Sequence, residues 1–204
     1  PVVVANSHYG APQCVPLMLA RLGHRLHSVE CCDPFGPLGL ERPSGLSVIP
    51  TSTTFLGRVA VAARRALLDE GLIAIAADGY VGTSGPTLPF HGRALRFAAG
   101  FAELAVAADA CVLPAVASLD DHGRATLRLF ARLADGPPSA TRAERVAHLI
   151  REYAGWLGRR WAEDSGNVLN MHHFTALPAW PSGGAAAEDE ARECSSGGTL
   201  TSAA

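Results

Sequence analysis

Leu72-Ile73-Ala74-Ile75-Ala76-Ala77-Asp78, residues 72–78, is the stretch on which the fold reading turns. Six apolar residues in a row do not fit a half-exposed strand, because every second side chain would then face water. They fit a strand inside a parallel sheet that is covered on both faces. The residues before it agree. Residues 56–70 set Leu56, Val59, Ala60, Ala63 and Leu67 at helical spacing, with Gly71 just past the end. A helix running straight into a buried strand is the repeating unit of an α/β sheet.

Working toward the start of the chain, Val2-Val3-Val4-Ala5 is a short apolar strand that ends in the polar turn Asn6-Ser7-His8-Tyr9-Gly10. Residues 14–22 read as a helix closed by Gly23, and residues 26–31 as a second strand. Residues 33–54 are rich in Pro, Gly, Ser and Thr and read as a long loop. A strand beginning at Pro1 also leads us to expect that the domain lacks its N-terminal part. Toward the other end, residues 78–85 are a glycine-rich turn and residues 88–90 a short strand. Residues 98–107 follow as a small-residue helix, 110–117 as a third buried strand and 124–130 as a half-exposed one. Residues 141–162 form a long amphipathic helix, capped by Ser139 or by Thr141 with Glu144 three residues on. Residues 168–174 read as a last strand. The expectation is a single α/β domain over residues 1–180, with a mainly parallel central sheet flanked by helices. Residues 181–204, rich in Gly, Ala, Ser and acids, are expected to be a disordered tail.

Composition narrows the function classes. With 204 residues, 48% hydrophobic and 18% charged, the chain has ample material for one core. The net charge of -2 argues against a dedicated nucleic-acid binder and against a polybasic membrane surface. All 17 basic residues are arginine, which excludes a lysine Schiff base and a Walker-type phosphate lysine. No apolar run reaches the roughly 18 residues of a membrane-spanning helix. The five cysteines, Cys14, Cys31, Cys32, Cys111 and Cys194, are few and odd in number, with no C-x-x-C pair. That is the usage of a reduced, intracellular protein. Cys31 and Cys32 read either as a reactive vicinal pair or as small buried apolar groups at a strand end, with the second reading carrying more weight.

In open α/β sheets ligands gather at the carboxyl ends of the strands. Two polar groups fall there, Asn6-Ser7-His8-Tyr9-Gly10 and Asp78-Gly79. A histidine between a buried strand and a helix is placed to act as a general base, or merely to cap the helix. Other groups carry less. Gly79, Gly82 and Gly85 lack the spacing of a phosphate loop, and Ser84 is in no nucleophile elbow. His172-His173 and Asp120-Asp121-His122 are adjacent residues, a poor spacing for metal ligands, and the second group reads as a turn. Arg151, Arg159, Arg160, Trp156 and Trp161 interleave on the long helix, as a membrane-surface face or as a solvated face over two core tryptophans.

The stretch from Ala5 to Gln13 resembles the catalytic motif of the lipid A biosynthesis acyltransferase family, within the glycerolipid acyltransferase superfamily. Later blocks are similar to that family in the same order: Leu72 to Asp78, a strand ending in Asp; Pro89-Phe90-His91-Gly92-Arg93, a Phe-x-Gly block; Gly100 to Ala105, the helix after it; Cys111 to Ala115, the next strand; and loosely residues 161–174. The resemblance spans about residues 1–175. It implies a glycerolipid-acyltransferase-like fold. The activity it implies is transfer of a fatty acyl group from acyl-CoA or acyl-carrier protein to a hydroxyl of a lipid, glycolipid or lipid-like acceptor, with no cofactor. His8 would be the general base, with Asn6, Ser7 and the Gly10 amide as polar supports. Gly92 and Arg93 would face the substrate, the guanidinium binding phosphate or carboxylate. The plain alternative for Arg93 is a surface residue paired with Glu103 or solvated. A cytoplasmic location, peripheral on the inner face of the membrane, is also implied.

The family pattern departs at one place. Its acid, separated from the histidine by four residues, would fall at Gln13, which can orient an imidazole but supplies no charge. Three expectations follow. Asp78 serves as the acid, with Glu30 or Asp33 behind it; or Gln13 serves as a weaker orienter; or the chain is an impaired relative that only binds lipid or a partner. A thioester hydrolase using His8 and water is a further alternative.

Overall fold

The computed structural model describes residues 1–31, 35, 41–51, 56–78, 85–168 and 171–181. The apolar run at residues 72–78 lies inside a sheet. Strands β1 (Val2–Asn6), β2 (Leu26–Glu30), β3 (Leu46–Pro50), β4 (Leu72–Ala76), β7 (Cys111–Leu119) and β8 (Ala125–Leu129) form one sheet in the order β3-β2-β4-β1-β7-β8. Five of these strands are parallel and β8 is an antiparallel edge. β5 (Thr87–Phe90) and β6 (Arg93–Arg96) make a separate antiparallel hairpin.

Alternation along each strand decides what covers it. Val4 and Ala74 turn to one face, where Val15 and Leu19 of α1 (Cys14–Arg21) cover them. Val3, Ala5, Ile73 and Val112 turn to the other. There they meet Ala63 and Leu67 of α2 (Leu56–Glu70), Phe101 of α3 (Gly100–Ala108), and Tyr153 and Leu157 of α4 (Arg142–Glu163). α4 starts on a capping box: the Glu144 N–H donates to Thr141 Oγ1 at 3.3 Å, and the Thr141 N–H donates to Glu144 Oε2 at 2.6 Å. The result is a single α/β domain, its mostly parallel sheet flanked by helices.

The connections locate a crevice. The chain leaves β1 through α1 on one face and leaves β4 through the hairpin and α3 on the other. β1 and β4 are neighbours, so their carboxyl ends diverge from a topological switch point, the usual place for a ligand in such a sheet.

Several expectations need correcting. The long loop over residues 33–54 contains β3, whose Leu-Ser-Val-Ile core is masked by the Pro and Ser around it. Residues 168–174 are not a strand. Val168 makes one isolated bridge with Tyr9 after a 3-10 turn at Ser165–Asn167, and α5 (Met171–Ala176) follows. The sequence reading also lacks β6, the hairpin partner of β5. His91 and Gly92 take φ values of +45° and +75°, positive at both central residues as in a two-residue type I′ turn. Cys31 is exposed rather than a buried strand-end group, and Cys32 lies outside the described residues. So do Asp33, Gly79, Gly82 and Ser84, and all of the expected tail except Pro181. No helix among the described residues is long and apolar enough to cross a membrane.

Candidate active site

Parallel register brings the two polar groups together. Asn6 pairs with Ala76, an offset of 70 residues that, continued two residues further, sets His8 beside Asp78. The ladder continues in kind: the Ala77 N–H donates to the Asn6 carbonyl at 2.8 Å. Beyond it the carboxylate takes over. The His8 backbone N–H donates to Asp78 Oδ2 at 2.7 Å, and His8 Nδ1 meets Asp78 Oδ1 at 3.1 Å. Asp78 is only 4% exposed, whereas the His8 side chain is 32% exposed. The carboxylate therefore holds the histidine from behind and leaves part of the ring toward solvent.

This grip shifts both groups. The hydrogen bond to Asp78 raises the His8 pKa above the ordinary histidine value, against burial, which lowers it. The Asp78 and Glu30 charges push in the same upward direction. Burial holds Asp78 above the usual carboxylate range, although its bonds to His8 pull the other way. Glu30, at the carboxyl end of β2, is raised by burial and eased by Ser28, whose hydroxyl donates to Glu30 Oε1 at 2.5 Å. Among the described residues two acids thus bear on His8, and Asp78 is bonded to it.

The loop that carries His8 is pinned from several directions. The Gly10 N–H donates to the Asn167 carbonyl at 2.7 Å, and the Ala11 N–H to the Ala117 carbonyl at 2.6 Å. The Tyr9 hydroxyl reaches the Arg160 carbonyl at 3.3 Å. Asn6 Nδ2 closes the loop onto the Pro12 carbonyl at 3.2 Å. Gly10 takes φ +76°, and a Cβ there would stand 2.1 Å from the Ala117 carbonyl oxygen. Only glycine fits.

The other expected site residues divide. Gln13 is exposed at the start of α1 and makes no side-chain cap bond; the structure brings Asp78 to His8 instead. The Gly10 amide already serves the Asn167 carbonyl and is not a spare donor. Asn6 and Ser7 are buried beside the dyad, and Asn6 Oδ1 and Ser7 Oγ have no hydrogen-bond partner among the described residues. Arg93 donates through Nη1 to the Leu177 carbonyl at 2.9 Å. Gly92 forms the hairpin turn, and its carbonyl accepts from the Trp180 N–H at 3.0 Å. Asp120 closes the β7–β8 turn, accepting from the backbone N–H groups of His122 and Arg124 at 2.9 Å each. Trp156 and Trp161 are buried, which places them in the core rather than on a membrane face.

One residue at the site escapes a sequence reading. Tyr153, in the middle of α4, is fully buried, and burial first and the Asp78 charge second hold its phenol well above the ordinary tyrosine value. Its only sequence signal was a lone hydroxyl on the apolar stripe of a long helix. Compared with known proteins, the chain matches no family model and no curated protein.

Proposed function

We propose that this chain is an acyltransferase that moves a fatty acyl group from the thioester of acyl-CoA or acyl-carrier protein to a hydroxyl of a lipid, glycolipid or lipid-like acceptor. The observation that carries the reading is the two-point hold of Asp78 on His8 at the switch point of the sheet. An ionised Asp78 only accepts hydrogen bonds, so Nδ1 carries the proton and Nε2 is the basic nitrogen. In the reaction, Nε2 takes the acceptor's hydroxyl proton while that oxygen attacks the thioester carbonyl carbon. Asp78 stabilises the imidazolium that forms. The tetrahedral intermediate then expels the thiol sulfur, which receives the proton from His8. An ester and a free thiol result, and no covalent acyl-enzyme is needed.

The missing acid near Gln13 was the motive for an impaired relative, and Asp78 supplies a carboxylate from a different strand. The peripheral setting at the inner face of the cytoplasmic membrane belongs to the same proposal. The test incubates the purified chain with a lipid extract and either labelled acyl-CoA or labelled acyl-carrier protein, alongside His8→Ala, and follows the label by mass spectrometry. A new labelled ester that His8→Ala does not make is the expected result. Free fatty acid without ester would replace transfer with thioester hydrolysis. Lipid binding that survives His8→Ala, with no label moved from either donor, would make the chain a binding module.

A further inference from the structure

The sheet ends on a strand that is bonded along one side only. β8 is last in the strand order and runs antiparallel to β7. Antiparallel pairing alternates, so every second residue turns its backbone N–H and carbonyl away from the neighbouring strand. The bonds at either end fix which residues these are. The Phe130 N–H donates to the Pro114 carbonyl at 3.0 Å, and the Asp120 N–H donates to the Arg124 carbonyl at 3.1 Å. Even-numbered residues therefore serve β7, while Ala125, Leu127 and Leu129 present their backbone groups outward. Among the described residues nothing pairs with that edge. The register with β7 runs without a bulge and the strand holds no proline, so two usual guards against edge pairing are missing.

The side chains alternate as well. Leu127 packs with Ala115 and Ala117 on the face that α1 covers, and Ala125 and Leu129 point the same way. Leu129 is 48% exposed, and Leu119 of β7, the register partner of Ala125, is 55% exposed. Thr126 and Arg128 point to the opposite face and are exposed.

We infer that β8 is a self-pairing edge: a second copy of this chain adds its own β8, antiparallel, about a two-fold axis at Leu127, and the two sheets become one. In that register Leu127 faces the partner's Leu127, and Ala125 faces the partner's Leu129. Each outward N–H then meets an outward carbonyl. The partner's Leu129 lies over Ala125 beside Leu119, so that a small residue sits between two large ones that are otherwise exposed. On the other face Arg128 stands opposite the partner's Thr126, which is neutral.

Neighbouring registers lack this match. With the axis at Thr126, Arg124 faces the partner's Arg128; with the axis at Arg128, that arginine faces its own copy. Like charges directly opposite are destabilising. The arginines thus select the register centred on Leu127, and such an isologous contact closes at two copies. The other edge of the sheet offers less. β3 is buried or half-buried along its length and ends on Pro50, which has no N–H to give.

The test is sedimentation velocity of the full chain over a concentration series, with amide exchange followed by NMR at both ends of the series. We expect the sedimentation coefficient to rise with concentration. The amides of Ala125, Leu127 and Leu129 should exchange quickly in the dilute chain and become protected in the concentrated one. Those of Thr126 and Arg128, which face β7, should stay protected in both. Thr126→Arg sets arginine against arginine on each side of the axis and should weaken association about tenfold. Adding Arg128→Glu puts a carboxylate opposite each new arginine and should restore the parent value.

A sedimentation coefficient that does not change with concentration would overturn the inference. So would outward amides protected at every dilution, since another segment of the same chain would then cover the edge. Association that Thr126→Arg leaves untouched, or that the charge exchange fails to restore, would put the contact elsewhere or in another register, and would overturn it too. If Thr126→Arg failed to fold, Ala125→Pro would decide the matter. It removes one outward N–H, leaves the bonds to β7 in place, and should abolish association. None of these readouts involves acyl transfer, so the edge contact and the proposed function fail separately.

Discussion

At the carboxyl edge between β1 and β4, polar side chains meet one another; in the hairpin of β5 and β6 they meet backbone. His8 bonds to Asp78 across the ends of β1 and β4, and Ser28 bonds to Glu30 within the neighbouring β2. Arg93 instead spends its guanidinium on the Leu177 carbonyl. Its neighbour Ala94 takes the Pro178 carbonyl at 2.9 Å, so residues 177–180 run beside β6 like a third strand. The turn itself is clamped to α4. His91 stacks on Trp161, with ring centres 5.9 Å apart and 14° between planes, and its Nε2 lies 3.1 Å from the Gly158 carbonyl. Both regions carry polar residues that the sequence reading singled out as candidates. A side chain committed to main chain holds the fold together, whereas side chains held by other titratable side chains can change protonation together.

The strongest challenge to this contrast is Asp78→Asn. It keeps the shape but lets Nδ1 accept, putting the proton on the wrong nitrogen. Acyl transfer should fall on the order of ~10⁴-fold, while Gln13→Glu should change it by less than about threefold. An assay in which the Gln13 variant mattered and Asp78→Asn did not would reverse the assignment.

Next in size is backbone strain. Gly10→Ala forces a Cβ against the Ala117 carbonyl oxygen at φ +76°, and should cost about 3 kcal/mol in denaturant unfolding. Gly92→Ala has a similar φ, +75°, but open space around its Cβ, and should cost about 1 kcal/mol. Equal losses would show that the loop carrying His8 is no more tightly held than the hairpin.

Arg93→Met should cost about 1 kcal/mol of stability by stripping the Leu177 carbonyl of its donor, with KM for acyl-CoA nearly unchanged. A raised KM at unchanged stability would return Arg93 to the phosphate-binding role that the resemblance implied.

The smallest expected effect is a slope. The folded His8 binds its proton more tightly than the unfolded residue, whose value is 6.5. Its stabilising contribution is therefore complete below 6.5 and fades as pH rises through the higher folded value. Tm should decline across that window and decline less in His8→Ala. A Tm rising across the same window in the parent alone would contradict the raised pKa.

Much of the fold was legible in order. Gly71 and the apolar run after it locate α2 and β4 within a residue or two, because periodicity is a local property of the chain. The Thr141–Glu144 cap was legible for the same reason. β3 was not, since five residues inside a Pro- and Ser-rich segment become a strand only when β2 offers them an edge. Val168 likewise reads as strand but meets only Tyr9. At the site, His8 and Asp78 were each visible as polar residues at the end of an apolar run.

Local pattern was enough to establish that this is an α/β chain, that β1 and β4 are apolar strands, and that a histidine follows one and an aspartate the other. Hydrophobic periodicity and turn residues act over a few positions, so a linear reading captures them. Packing in three dimensions set the rest: that Asp78 rather than Gln13 grips His8, that Arg93 serves the backbone, and that Tyr153 is buried in the core. Those outcomes depend on parallel register across 70 residues and on which face of α4 packs against β1. Contacts between residues so far apart in the chain are set by how strands and helices share one core.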